Sequence, residues 1–379
     1  MKRVLIVASV ASMIDQFNME NIKLLLSLGY KVEVAANFEN PGNMSVQKKE
    51  LLTAKLKQMR VKIHQIDFSR NMKQVKNHLI AYKQLKKVVA DNKIDIIHCH
   101  SPIGGAISRL VGKTNNVKVI YTAHGFHFYK GAPKLNWLVY YPLEKYLSRF
   151  TDTILTINQE DYQIASQKFH SKKVYLINGV GIPIEKYKKI QINTMEKKAE
   201  LGIKDKKTKI ILSVGELNRN KNHAMVIEAL KQFKDKNFKY FICGVGSLEY
   251  ALKEKIKNSG LEEKVVLLGY HTDVLEIMKI SDLFVFPSKR EGLPVSVMEA
   301  MSVGLPIVAS NIRGNMDLIQ DNITGKLFDV NTLTGLTEIL QLFFSGDMPL
   351  DVYSHNASMS IQNYSKEKVA HQIADIYEI

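Results

Sequence analysis

The stretch SDLFVFPSKREGLPVSVMEAMSVGLPIVAS at residues 281–310 reads as one complete strand–helix–strand unit. Apolar runs at 283–287 and 306–310 enclose a segment of helical length. Pro294 suits the first helical turn, and Gly304 is typical of a helix end. Two strands of one sheet joined by a crossover helix run parallel. This segment therefore predicts an α/β fold with a parallel sheet.

Ten further apolar runs alternate with amphipathic segments of helical length. They lie at residues 4–8, 32–36, 61–66, 94–100, 117–123, 153–157, 174–177, 209–214, 239–244 and 265–269. Runs that are apolar on both faces are typical of parallel sheets covered by helices on both sides. The stretch NGVGIP at 178–183 predicts a hinge between two such sheets. We therefore expect two Rossmann-like domains, 1–180 and 181–363, and an amphipathic terminal helix at 364–379.

Composition favours a globular protein of two domains that lives in a reducing compartment. The 379 residues are 45% apolar and 24% charged. Cys99 and Cys243 are isolated in the sequence and form no zinc-type pattern, which favours the cytoplasm. The basic and apolar N-terminus imitates a signal peptide, but Asp15 ends the apolar run, so a first buried strand is the better interpretation. Because no segment approaches about 18 uncharged apolar residues, any membrane contact is expected at the surface.

The positive charge is concentrated in the first half of the chain. Lys and Arg outnumber Asp and Glu by 27 to 12 in residues 1–180 and by only 26 to 25 in the remainder, within a net charge of +16. Much of the excess lies between Lys55 and Lys93, with Lys73, Lys76, Lys83, Lys86 and Lys87 among the cations. A solvated helix face is one explanation for this concentration of lysines. The imbalance favours an anionic partner, with acidic lipid headgroups or nucleic acid as candidates.

The loop after the run at 209–214 combines glycine with cations. In doubly wound folds ligands bind beyond the carboxyl ends of the strands. Here Gly215 is followed by Arg219 and Lys221 at a helix start, where backbone N–H groups and two cations suit a diphosphate. An ordinary loop with exposed basic residues explains this segment equally well. Gly244 and Gly246 form a second glycine turn, but the absence of a full GxGxxG pattern disfavours a nicotinamide dinucleotide.

Two glutamates flank the start of the helix in the opening segment. Glu291 and Glu299 are eight residues apart, which on a continuous helix separates their side chains by about 80°. We therefore expect Glu291 in the loop and Glu299 in the helix, where their carboxylates could accept hydrogen bonds from the hydroxyls of a sugar or ribose. A helix-face ion pair for Glu299 and a favourable helix-end charge for Glu291 are the structural alternatives.

Three histidines lie in or just after two runs of the first half. His98 and His100 flank Cys99 but have no partner at metal-ligand spacing, so buried or loop histidines are expected and no metal site is predicted. His124 lies at a strand end beside Gly125, and we expect it to donate a hydrogen bond to a substrate oxygen.

These segments together resemble the retaining glycosyltransferases of family GT4, whose GT-B fold consists of two facing Rossmann-like domains. The resemblance spans the whole chain and is strongest across 207–330. The residues that carry it are Glu291 and Glu299 with their flanking sequence, Gly215 with Lys221, Cys243-Gly244-Val-Gly246, Arg313-Gly314, the segment DNITGKLF, and Asn178-Gly179. It implies a donor-binding C-terminal domain and an acceptor-binding, membrane-facing N-terminal domain, to which the terminal helix crosses back.

The resemblance also implies roles for particular residues. Glu291, His124 and Lys221 would be catalytic, with Glu291 on donor-sugar hydroxyls, Glu299 on ribose and His124 reaching the donor sugar from the N-terminal domain. Lys221, supported by Arg219, would neutralise the diphosphate, and the 314–318 segment would add backbone donors. The implied donor-binding set is Gly215, Arg219, Lys221, Gly244, Gly246, Glu291, Gly292, Leu293, Pro294, Glu299, Arg313 and Gly314.

The implied reaction is metal-independent transfer with retention of configuration, in which the leaving phosphate helps to deprotonate the acceptor. The segments HGFHF and VGELNRNKNH look like those of the family members that build bacterial capsule or exopolysaccharide. This likeness implies a UDP-linked hexose or N-acetylhexosamine as the donor. A sugar on a polyprenyl diphosphate is the implied acceptor, and the location is cytoplasmic and peripheral on the inner face of the cell membrane. Two departures from the family are Glu216, where arginine is usual, and SVASMIDQFN at 9–18, which replaces a glycine-rich acceptor loop.

Two other functions compete with this prediction. A nucleotide-sugar epimerase of GT-B fold would use a similar cleft, although the paired glutamates favour transfer. A non-enzymatic basic module for membranes or nucleic acid would account for the charge, but the first half has neither interleaved aromatic residues nor a helix-turn-helix signature. Nucleic acid is therefore not an expected partner.

Overall fold

Two parallel β-sheets organise the chain, whose computed structural model describes residues 1–378. The first sheet has the strand order β3-β2-β1-β4-β5-β6-β7 and the second has β10-β9-β8-β11-β12-β13. In the first sheet the strands are β1 Arg3–Val10, β2 Lys31–Asn37, β3 Lys62–Gln65, β4 Ile96–His100, β5 Lys118–Ala123, β6 Thr153–Thr156 and β7 Lys173–Leu176. In the second they are β8 Lys209–Val214, β9 Phe238–Cys243, β10 Val265–Gly269, β11 Leu283–Phe286, β12 Ile307–Ser310 and β13 Lys326–Phe328.

A helix follows each of the thirteen strands. In the first half they are α1 Ala11–Phe17, α2 Met19–Ser27, α3 Val46–Gln58, α4 Val75–Asp91, α5 Pro102–Asn115, α6 Lys134–Leu147 and α7 Gln159–Lys168. The second half contains α8 Ile184–Lys188, α9 Thr194–Glu200, α10 His223–Leu230, α11 Glu249–Asn258, α12 Val274–Ile280, α13 Val295–Ser302, α14 Asn315–Leu318, α15 Leu333–Ser345, α16 Leu350–Ser360 and α17 Lys366–Glu378. Short 3-10 helices lie at Ser148–Phe150, Lys231–Phe233 and Ile361–Tyr364.

The chain divides into two compact units, one for each sheet. Unit 1 consists of Met1–Gly181 and the C-terminal residues from Glu367 onward, and unit 2 is Ile182–Lys366. In each unit the strand order reverses direction between two central strands, β1 and β4 in unit 1 and β8 and β11 in unit 2. This arrangement is the doubly wound pattern, in which the crevice beyond the strand ends at the reversal point is the usual binding site.

Helix α17 packs within unit 1. Its Val369, Ile373, Ile376 and Tyr377 are buried. Tyr30 donates its hydroxyl hydrogen to the Tyr377 carbonyl at 3.0 Å. The predicted return of the terminal helix to the first domain is confirmed, while Ile379, which belongs to the predicted segment, lies outside the described residues.

The predicted α/β architecture is confirmed, with small differences in detail. Each of the twelve apolar runs contains or overlaps one strand, whereas β13 was missed because three residues show no readable periodicity. Pro294 is the residue before the first helical position of α13 rather than a member of its first turn. Its φ of −77° and ψ of 117° are extended. Proline here still helps to start the helix, since it lacks the N–H that a helix end leaves unpaired.

Candidate active site

The loops that follow β8 and β11 meet at the reversal point of unit 2. Asn220 donates from its side-chain amide to the Arg290 carbonyl at 2.9 Å, and the Lys289 N–H donates to the Asn220 carbonyl at 2.8 Å. These reciprocal bonds hold the two loops together although they are about 70 residues apart in sequence. Side chains from two predicted site segments are thereby brought to one place.

Lys221 and Glu291 form an ion pair at this junction. The Lys221 ammonium lies 2.7 Å from Glu291 Oε1, and the two side chains are 21% and 14% exposed. The backbone N–H of Lys221 donates to Asn218 Oδ1 at 2.9 Å, and the ammonium lies 4.9 Å from the centroid of the Phe286 ring. A cation and a carboxylate held side by side and still open to solvent suit a ligand that combines an anionic group with hydroxyls.

The glycines after β8 and β9 allow two loop backbones to touch. Gly244 has a φ of 151°, and a Cβ there would lie 2.0 Å from the Gly215 carbonyl oxygen. A Cβ on Gly246 would lie 2.5 Å from the carbonyl oxygen of Leu217. A residue with a Cβ fits at neither position unless the backbone moves. The turn after β9 therefore packs its backbone directly against the loop after β8.

A third loop closes on the start of α13. Gly314 has a φ of 79°, and its Cβ position would be 2.5 Å from the Gly292 carbonyl oxygen. Leu293 is partly exposed and Pro294 is buried, and both continue the chain from that contact into α13. The preceding Arg313 is only 5% exposed. The predicted Arg313-Gly314 segment therefore lies against the Gly-Leu-Pro segment that follows Glu291.

The backbone N–H of Gly314 is already engaged in this structure. It donates to Asp317 Oδ2 at 3.1 Å. A phosphate that used this N–H, as the family resemblance implies for the 314–318 segment, would have to displace that carboxylate.

Glu299 lies within α13 and Glu291 in the loop before it, as their spacing predicts. Burial raises the pKa of Glu299 to about 7, despite a hydrogen bond from Tyr187 that favours the charged form. The Tyr187 hydroxyl donates to Glu299 Oε1 at 3.4 Å, and burial together with the nearby carboxylate raises the pKa of Tyr187 to about 12. Sequence reasoning missed Tyr187, because no local signal connects residues 112 positions apart.

His223 is a second residue that sequence reasoning missed. It is the first residue of α10, directly after Lys221-Asn222, and is 2% exposed. Burial lowers the pKa of His223 to about 4, so the ring is neutral at pH 7 beneath the glycine loop. The position of His223 at the start of a helix, directly after the cationic loop, was the sequence signal that could have identified it. Arg219 and Glu216, on the same loop, are both exposed.

Unit 1 has a cavity of about 480 Å³ at its own reversal point. Ser9 at the end of β1, Ser101 after β4 and His124 after β5 line it, together with Arg70 and Tyr140. The polar groups converge from three neighbouring strands, which is the arrangement that places ligands in this class of fold.

The structure shows why the three predicted histidines differ. His98 is fully buried between Tyr377 Oη and Thr122 Oγ1, each 2.7 Å from a ring nitrogen, and burial lowers its pKa to about 3. His100 is also buried, and its Nδ1 lies 3.0 Å from His124 Nε2. His98 and His100 are thus buried strand residues, as expected. Within residues 1–378 no cluster of three or more His, Cys, Asp or Glu side chains is arranged to hold a metal ion.

His124 reaches the cavity of unit 1 as a neutral ring. Burial lowers its pKa to about 4, and the Phe17 ring packs against it at a centroid distance of 4.9 Å. His124 is therefore suited to hydrogen bonding with a substrate oxygen and not to carrying positive charge at pH 7.

Ser101 is a strained residue on the same cavity. Its φ of 70° and ψ of 153° fall in a region that is almost restricted to glycine. The Ser101 hydroxyl oxygen lies 2.6 Å from the Ser9 hydroxyl oxygen. The Ser9 oxygen also accepts a hydrogen bond from the Gly104 N–H at 3.0 Å. Sequence reasoning missed Ser101, although the Ser-Pro-Ile-Gly-Gly sequence after β4 was an available turn signal.

Comparison with known proteins identifies the family. The model described as Glycosyl transferase 4-like matches residues 3–158, and that of Glycosyl transferases group 1 matches 194–367. EpsD of Bacillus subtilis, described as a glycosyltransferase, is 31% identical over 99% of this chain and 96% of its own length. The UDP-Gal:alpha-D-GlcNAc-diphosphoundecaprenol alpha-1,3-galactosyltransferase of Escherichia coli is 31% identical over 81% of this chain and 80% of its own length.

Solved structures show the same fold. HepE of Anabaena, crystallised with UDP, superposes with a TM-score of 0.79 at 17% identity, and the match covers 100% of both chains. The two parallel sheets, the matched family models and the relatives agree with one another. The chain therefore belongs to the family 4 glycosyltransferases and has their GT-B fold.

Proposed function

We propose that the enzyme transfers a hexose or an N-acetylhexosamine from a UDP-sugar to a lipid-linked sugar during synthesis of a cell-surface polysaccharide. The observation that carries this proposal is the ion pair of Lys221 with Glu291 at the reversal point of unit 2. A nucleotide-sugar presents the two chemistries that this pair recognises, since its diphosphate is anionic and its sugar carries hydroxyls.

Each site residue of unit 2 has a specific task in the proposal. Lys221, with the exposed Arg219 of the same loop, stabilises the charge that develops on the leaving diphosphate, which is the main electrostatic demand of the reaction. Glu291 accepts hydrogen bonds from donor-sugar hydroxyls. Glu299 accepts hydrogen bonds from the ribose, with Tyr187 orienting its carboxylate.

The exposed Glu216 does not exclude this arrangement. Its side chain points to solvent, and Lys221 is the cation that lies next to the sugar-binding carboxylate. Repulsion between two exposed charges is strongly screened in water. In this proposal Arg219 takes the place of the family's usual arginine and acts together with Lys221.

The proposed chemistry is a front-face substitution that needs no metal ion. The bond from the anomeric carbon to the diphosphate oxygen breaks and a bond from that carbon to the acceptor oxygen forms on the same face, with retention of configuration. The acceptor proton passes to the departing phosphate. Neutral His124 donates a hydrogen bond to a substrate oxygen in this proposal.

Two observations support a lipid-linked acceptor and a UDP donor. The Escherichia coli relative carries both in its name, a UDP-sugar and a diphosphoundecaprenol acceptor. Unit 1 holds the excess of positive charge, which suits an anionic bilayer and a diphosphate-bearing lipid. No helix within residues 1–378 is long and apolar enough to cross a membrane. We place the enzyme on the cytoplasmic surface of the cell membrane, held there from one side.

Donor consumption that depends on acceptor tests the proposal. The purified chain is incubated with UDP-sugars or GDP-sugars, with and without polyprenyl-diphosphate-linked sugars in vesicles, and nucleotide release is measured. We expect UDP release to require the acceptor and to be lost in Glu291→Ala. Interconversion of the donor sugars without acceptor, or no dependence on acceptor for any donor, would contradict the proposal.

A further inference from the structure

Helix α6 of unit 1 exposes a continuous apolar face. Its exposed large side chains are Leu135 at 66%, Leu138 at 74%, Val139 at 42%, Leu143 at 38% and Tyr146 at 51%. At about 100° per residue, all five lie within an arc of about 140°. Proteins that stay in water rarely leave such a stripe uncovered, so it indicates a contact surface.

The opposite side of α6 is firmly anchored in unit 1, so this exposure does not come from fraying. Glu144 is 7% exposed, and its Oε2 accepts a hydrogen bond from Arg109 Nη1 at 2.7 Å. Arg109 itself is completely buried, and Leu147 is 2% exposed. The fold therefore fixes which face of the helix turns outward.

Cations border the apolar face and carboxylates are missing from it. Lys134 and Lys145 lie along its edge, Lys130 precedes the helix, and Arg149 follows it in the next short 3-10 helix. Between residues 130 and 150 the one acidic residue is Glu144, which is buried against Arg109. Apolar side chains flanked by lysine and arginine are typical of helices that lie in the interface of an anionic membrane.

The same helix borders the cavity of unit 1. Tyr140 lines the cavity and stacks on the ring of His127, with centroids 4.7 Å apart. A lipid-linked molecule with its polar end in the cavity would therefore leave it beside α6.

We propose that α6 is the membrane-docking helix, which inserts its apolar face into the headgroup region of an anionic bilayer and delivers the lipid-linked acceptor to the adjacent cavity. This inference rests on the proposed function, in which the acceptor is carried by a membrane lipid. It assigns insertion to α6, whereas the cations between Lys55 and Lys93 add long-range attraction only.

The chain has a single tryptophan, so the emission of one indole can report on α6. Trp137 lies on α6, is 37% exposed and donates its indole N–H to the Tyr129 carbonyl at 3.2 Å. Trp137 lies about 100° outside the apolar arc, so Trp137→Phe with Leu138→Trp places the indole on the inserting face. Vesicles of phosphatidylcholine with phosphatidylglycerol should shift the emission of this variant to the blue, and brominated acyl chains should quench it. Neutral phosphatidylcholine vesicles should have a much weaker effect, and added salt should weaken binding to the anionic vesicles.

A double substitution with a matched control isolates the helix. Leu135→Ser with Leu138→Ser should lower vesicle binding about tenfold or more, because two leucines no longer enter the apolar layer. Val46→Ser with Leu51→Ser is the control, since these α3 residues are 62% and 70% exposed in the same unit. Its vesicle binding should stay within about twofold of the parent. Circular dichroism and thermal melts verify that both variants fold.

Three outcomes separate the inference from the proposed function. Equal loss of vesicle binding in both double variants, or no change of tryptophan emission with anionic vesicles in Trp137→Phe with Leu138→Trp, would overturn the docking helix even if transfer to a water-soluble acceptor analogue persists. Failure to bind or discharge any nucleotide-sugar would instead overturn the proposed function. A lipid-free dimer that only Leu135→Ser with Leu138→Ser dissociates, with vesicle binding unchanged, would show that this face binds a second copy.

Discussion

Replacing Lys221 by alanine should damage catalysis far more than stability. The Lys221 ammonium is 2.7 Å from Glu291 Oε1, and the side chains are 21% and 14% exposed, so the pair is partly screened by water. Such a pair contributes about 1 kcal/mol to the free energy of unfolding, or roughly 2–4 °C in the melting temperature. Loss of one group that stabilises developing charge costs about 100- to 1,000-fold in kcat, or about 3–4 kcal/mol.

The assay compares initial rates of UDP release with thermal melts of the same samples. Lys253→Ala is a matched control, because Lys253 forms an ion pair with Glu249 at the same 2.7 Å but the two side chains are 60% and 47% exposed. The control should keep its rate and its melting temperature within about 1–2 °C of the parent. A Lys221→Ala enzyme that retains kcat within about threefold would refute the assignment of Lys221 to the leaving group.

Three further predictions concern titration, loop contact and the terminal helix. With its pKa raised to about 7, Glu299 stabilises the fold fully below pH 4.5 and loses that contribution as pH rises through 7. Denaturant unfolding at pH 5 and pH 8 should therefore show a smaller decline with pH in Glu299→Gln than in the parent. Gly314→Ala should lose about 1–3 kcal/mol of unfolding free energy and weaken UDP affinity in calorimetry, since its Cβ would lie 2.5 Å from a carbonyl oxygen. Gly202→Ala has a similar φ of 72° but open space around it, and should cost less and leave UDP affinity unchanged. Tyr377→Phe should lower the free energy of unfolding by about 1–3 kcal/mol, because it leaves a buried His98 nitrogen unpaired; an unchanged denaturation midpoint would contradict this.

Much of the fold could be predicted from the sequence, because its physical causes are local. Short apolar runs separated by helical segments specify parallel sheets, and Gly304 marks a helix end without any knowledge of the rest of the chain. The glycines at 244 and 314 were expected near the site as part of a family pattern. Only the structure gives the reason, which is close contact between loop backbones from distant segments.

The parts that escaped prediction depend on contacts between distant segments. Tyr187 reaches Glu299 across 112 residues, and the unusual backbone of Ser101 is held by Ser9 from another strand. The apolar residues of α6 would suit a core helix equally well in the sequence. Their outward direction follows from the buried Arg109 and from what packs beneath the helix, which periodicity alone does not reveal.

Mass analysis of the lipid product tests the central claim most directly. The enzyme is supplied with a UDP-hexose or UDP-N-acetylhexosamine and a polyprenyl-diphosphate-linked sugar in anionic vesicles. The account predicts that the lipid gains the mass of one sugar, and that Lys221→Ala and Glu291→Ala give little or no product. Lipid-linked product formed at parental rates by both variants, or none formed from any UDP-sugar by the parent, would contradict it.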